Sequence, residues 1–69
     1  MKFTIEFEQE VDGRWIAEVI EIPGVIVYGK TPDDAIAHAK ALALRVVADE
    51  IENSERSSEM TEIFFATAA

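Results

Sequence analysis

At 69 residues, 49% hydrophobic and 29% charged, the chain has the composition of a globular domain and is too short for two independent cores, so a single domain over residues 1–69 is expected. Six Lys and Arg against fourteen Asp and Glu give a formal net charge of -8, which repels phosphate backbones and argues against direct nucleic-acid binding by this domain. There is no cysteine, which excludes disulfides and thiolate metal sites; since a chain of this size buries only ~60% of its unfolded surface, a homo-oligomer or a complex with another chain is expected.

Phe3, Ile5 and Phe7 alternate with Thr4, Glu6 and Glu8, the period of a strand with one buried and one wet face. Asp12-Gly13 announces a hairpin into a second strand through Trp15 to Val19. A two-residue loop would set Phe7 across from Glu18 and put charge on the core face. A three-residue loop, Val11-Asp12-Gly13 with Gly13 at positive φ, instead pairs Phe7 with Ala17, Ile5 with Val19 and Glu10 with Arg14. The same register sets Glu6 opposite Glu18, Glu8 opposite Ile16 and Thr4 opposite Ile20 on the outer face. Two facing glutamates beside exposed isoleucines suit a basic, partly apolar partner, so Glu6, Glu8, Ile16, Glu18 and Ile20 are the candidate partner-binding residues. The competing reading is a solvated face neutralised by Lys or Arg from strand 3 or from another copy of the chain.

Ile22-Pro23-Gly24-Val25 fits a turn with proline second and glycine third. Val25-Ile26-Val27-Tyr28 then forms a third strand ending at Gly29, and because both of its alternations are apolar, its inward face is left open. Thr31-Pro32-Asp33-Asp34 is a helix start: a threonine cap, proline at the first position and two acids over the positive end of the dipole. From there Ala35, Ile36, Ala39, Leu42, Ala43, Val46, Val47 and Ile51 form one apolar stripe, predicting a helix over about residues 32 to 52 that covers the inner sheet face. Ala37, Ala41, Leu44 and Ala48 make a narrower stripe nearly opposite. His38 falls on the polar side and, with no other histidine and no cysteine, is assigned no chemistry; Tyr28 is read as structural. Residues 53–61 read as a polar connection, and Glu62-Ile63-Phe64-Phe65-Ala66 as a short fourth strand. A right-handed crossover would lay that strand parallel to strand 1. The expected fold is therefore α+β, β-β-β-α-β, with a mainly antiparallel four-stranded sheet of order 3-2-1-4 and one helix on one face.

The pattern Asp12-Gly13-x-Trp15-x-Ala17-Glu18-Val19, Ile22-Pro23-Gly24, Gly29-x-Thr31-Pro32-Asp33-Asp34-Ala35 and Ala39-Lys40-x-x-Ala43-Leu44 resembles the HicB antitoxin family over roughly residues 2 to 52. The resemblance implies a partial ribonuclease-H-like domain whose partner is a HicA-type toxin, a small basic RNA-cleaving protein held inactive in a complex. Many members continue into a helix-turn-helix or ribbon-helix-helix domain. This chain reads as a short form without a DNA-binding domain.

Two other function classes compete with this one. Ribonucleases of the parent fold use clustered carboxylates around metal ions, which Glu6 and Glu18 could mimic, but the family is a degenerate, non-catalytic version and the chain has no basic track for a substrate. A homo-oligomeric scaffold is the third reading. No catalytic, cofactor-binding or metal-binding residues are assigned. No signal peptide and no ~20-residue apolar span is visible, so a cytoplasmic location away from the membrane is expected.

Overall fold

The computed structural model describes residues 1–53 and 62–68. Four strands and one helix follow in the order β1 (Lys2–Gln9), β2 (Trp15–Val19), β3 (Ile26–Gly29), α1 (Pro32–Glu52) and β4 (Phe64–Ala68). They form an α+β domain with a mixed sheet of order β3-β2-β1-β4: two antiparallel pairs, and β1 parallel to β4.

The first hairpin has the three-residue loop that the hydrophobic pattern requires. Glu10 N–H donates to Arg14 O at 2.7 Å, Gly13 N–H donates to Glu10 O at 3.0 Å, and Gly13 adopts φ 93°. That loop sets Ile5 against Val19, Glu6 against Glu18, Phe7 against Ala17 and Glu8 against Ile16. The second turn closes with Val25 N–H on Ile22 O at 3.2 Å and Gly24 at φ 89°, the backbone sign that a proline-glycine turn of this kind needs at its third position.

Helix α1 begins where its capping chemistry dictates. The Thr31 hydroxyl accepts from Asp34 N–H at 3.1 Å, Pro32 occupies the first turn, and Asp33 and Asp34 lie over the positive end of the dipole. Its buried residues Ala35, Ala39, Ala43 and Val47 repeat every four positions and lie on Phe3, Ile5, Ala17 and Val19 of the sheet. Ile36, Leu42 and Val46 flank them half-buried, whereas Ile51, at the far end of the stripe, is 38% exposed. Four of the ten buried core residues are alanines. Small side chains let helix and sheet approach closely, but each contributes only about one methyl group of burial, ~0.8 kcal/mol, so the core is thin.

One sequence expectation shifts in detail. The fourth strand runs over Phe64–Ala68, two residues later than the aromatic run suggested, because Lys2 pairs with Phe64 and Phe3 with Phe65. The chain start holds this register, with the Met1 amino group donating to Glu62 O at 3.0 Å and Phe64 N–H donating to Met1 O at 2.8 Å. Most of the connection read over residues 53–61 lies outside the described residues.

Candidate functional site

With α1 on one face, the other face of the sheet carries the outward half of every strand. β1 contributes Lys2, Thr4, Glu6 and Glu8; β2 contributes Ile16 and Glu18, with Ile20 just past its end. Of the five residues singled out from sequence, Glu6, Glu8, Ile16 and Glu18 line one shallow depression of about 230 Å³. Ile20 lies on the same face, where its N–H donates to Thr4 O at 3.0 Å and its side chain is 46% exposed. All five are brought to one surface.

Glu6 and Glu18 are Cα partners across β1 and β2, and Glu18 is flanked on its other side by Ile26 of β3. Among the described residues, the carboxylates of Glu6, Glu8 and Glu18 have no hydrogen-bond or ion-pair partner. The cations that could have relieved them are engaged elsewhere. Arg14 pairs with Asp12 at 2.8 Å, and Lys2 lies beside Glu21, whose carboxylate Oε1 accepts from Thr4 N–H and Oε2 from the Thr4 hydroxyl at 2.8 Å. Those Thr4 bonds, the backbone one first, and then Lys2 hold the Glu21 carboxyl below its ordinary value. Strand 3 supplies no neutralising charge either: its outward residues are Ile26 and Tyr28.

Reasoning from sequence missed part of this face. Ile26 (47% exposed) and Tyr28 (42%) extend it across β3, and Phe64 (60%), paired with Lys2, extends it across β4. For β3 the alternation alone carried no signal, since both faces are apolar, and for Phe64 the same holds, because Ile63-Phe64-Phe65-Ala66 is apolar on both alternations.

Protein-family models, curated proteins and solved structures were compared with the chain, and none matches. Among the described residues, no three of His, Asp and Glu converge so as to hold a metal ion, and no helix is long and apolar enough to cross a membrane. What the arrangement can do is bind: an open, gently apolar surface with three unpaired carboxylates fits a partner that is basic at its centre and apolar around it.

Proposed function

We propose that this chain is an antitoxin-like, protein-binding module of HicB type, with a partial ribonuclease-H-like fold, that neutralises a basic HicA-type RNA-cleaving toxin in the cytoplasm by forming a complex. The observation that carries the reading is the facing pair Glu6 and Glu18, unpaired among the described residues and set between Ile16, Ile20 and Ile26 on the open sheet face. Like charges directly opposite each other weaken a sheet, and a lysine or arginine from a partner would relieve them. A toxin that cleaves RNA needs a positive surface to hold phosphates, and an acidic protein inhibits it by occupying that surface. The domain itself performs no catalysis and holds no cofactor in this reading, and with a net charge of -8 it does not grip nucleic acid.

The test is co-expression with the neighbouring gene product, followed by affinity capture and an RNA-cleavage assay. Recovery of a stoichiometric complex, with cleavage suppressed in proportion to the domain added, is the expected result. A homo-oligomeric scaffold is the second reading, favoured by the exposed apolar side chains Ile20, Ile26, Tyr28 and Phe64 on that same face. Self-association with no captured partner and no effect on RNA cleavage would select it.

A further inference from the structure

A second concave surface lies where β3 runs into α1. Arg14, Tyr28, Gly29, Lys30, Asp34 and His38 line a cleft of about 510 Å³ that is open to solvent. The side chains around it are unusually well held for surface groups. Arg14 is fixed twice: its Nε donates to Asp12 Oδ2 at 2.8 Å, and its guanidinium lies 4.4 Å from the centre of the Tyr28 ring. Asp12 is fixed in turn, because its Oδ1 accepts Arg14 N–H at 3.0 Å. On the opposite wall, His38 Nδ1 is 2.9 Å from Tyr28 O. A carbonyl oxygen only accepts, so Nδ1 carries the hydrogen and Nε2 is the free ring nitrogen. That bond joins the helix to the outer backbone edge of β3.

These restraints leave donors unspent. The Asp12 pairing uses Arg14 Nε, so the end-on fork of its two Nη groups has no acceptor among the described residues, and Lys30 likewise has no ion-pair partner there. Two cations with free donors thus share one cleft on a chain whose formal net charge is -8. An end-on guanidinium fork matches the two oxygens of an oxyanion, and holding the fork in advance removes most of the ordering cost of binding.

We propose that this cleft is an oxyanion site that takes a single carboxylate group, gripped by the Nη fork of Arg14 and the ammonium of Lys30. Two oxyanions fit the fork, a carboxylate and a phosphate, and the surrounding charge chooses between them. Asp34 lines the cleft and Asp12 lies behind Arg14. These two acids offset the two cations, so the second charge of a phosphate gains little net attraction, whereas its desolvation cost rises with the square of the charge and favours the singly charged carboxylate. The site stands on this geometry alone, whether or not the open sheet face binds a toxin.

The test uses the whole chain and two probes, sodium acetate and inorganic phosphate, each titrated at constant ionic strength and followed by NMR of the backbone amides and of the Arg14 Nε–H group. Acetate is expected to give saturable shifts in the millimolar range at Arg14, Gly29 and Lys30. Those shifts vanish in Arg14→Gln and weaken several-fold in Lys30→Gln, while circular dichroism stays unchanged. Asp34→Asn should tighten acetate binding by about two-fold by removing a repulsive charge. Shifts that grow linearly without saturating, or that survive Arg14→Gln, would show that no site exists. Phosphate binding more tightly than acetate would overturn the carboxylate assignment.

Discussion

Glu6 and Glu18 stand directly opposite each other on the solvent side of the antiparallel β1–β2 pair, with no cation within ion-pair reach among the described residues. A sheet that served only its own stability would gain from reversing one of them. Reversal of Glu6 alone, as Glu6→Lys, is expected to raise the free-energy of unfolding by about 0.5 kcal/mol by creating an opposite-charge pair. The double variant Glu6→Lys with Glu18→Lys should return near the parent, since two lysines then face each other. Binding to a toxin of the proposed kind should instead fall at the first change and fall further at the second, strongly at low salt and less at high salt. Denaturant unfolding and affinity at two ionic strengths separate the two trends, and a double variant that bound such a toxin as tightly as the parent would move the proposed interface elsewhere.

The exposed apolar residues offer two faces on which the chain could self-associate. Light scattering at micromolar concentration is expected to show a dimer or larger oligomer of the isolated chain, given its thin core. Ile26→Glu should dissociate it if the open sheet face is used, and Leu44→Glu should do so if the Ala41 and Leu44 side of α1 is used. A parent chain that stayed monomeric would remove self-association from the account.

Two glycines have distinct reasons to be glycine, and their substitutions should differ accordingly. At Gly13 a Cβ would meet nothing within 4 Å, so Gly13→Ala pays only for a left-handed backbone, about 1 kcal/mol. At Gly29 a Cβ would overlap the Ala35 backbone nitrogen and lie 2.8 Å from Asp34 Cβ, so Gly29→Ala must push the start of α1 off β3. A cost of roughly 1–3 kcal/mol is expected, with loss of the His38–Tyr28 hydrogen bond seen by NMR. Equal, small effects for the two variants would contradict the close approach of strand and helix.

Acid should destabilise the domain partly through Glu21 and Asp12. The folded state holds the Glu21 carboxyl below its ordinary 4.5, first through Thr4 N–H, and the Asp12 carboxyl below 3.8, first through Arg14 N–H. A carboxyl with a depressed folded pKa contributes stability that is complete above its unfolded value and is lost as pH falls through the folded one. Thermal melts should therefore fall as pH drops below 4.5, and Glu21→Gln should flatten the upper part of that decline while lowering the melting temperature at neutral pH. An unchanged pH profile in Glu21→Gln would mean that the Thr4 contacts carry no net energy in solution.

The helix start offers a control. Thr31→Ala removes the acceptor for Asp34 N–H and is expected to cost about 1 kcal/mol without altering partner binding, as read by denaturant unfolding and affinity measurement.

Much of this molecule is determined by the sequence alone, because the deciding interactions are local. The Asp12-Gly13 loop has one length that keeps Glu18 off the core face, and that length fixes the partners of Glu6 and Glu8. Thr31, Pro32 and the acids after them specify the helix start within a single turn, and the spacing of Ala35, Ala39 and Ala43 specifies its buried face. Other features depended on contacts between segments far apart in the chain. Val25 and Val27 turn inward while Ile26 and Tyr28 face out, a choice that two apolar alternations cannot make and that pairing with β2 beneath α1 does make. The β4 register was decided by Met1 and Lys2, more than 60 positions away, rather than by the aromatic run itself. His38 showed no partner in its own stretch of sequence; it acquired the Tyr28 carbonyl, and with Arg14 and Lys30 a shared cleft, only when the helix folded back onto the sheet edge. Local periodicity encodes which way a side chain points along its own element, but not which distant backbone groups will be left for it to meet.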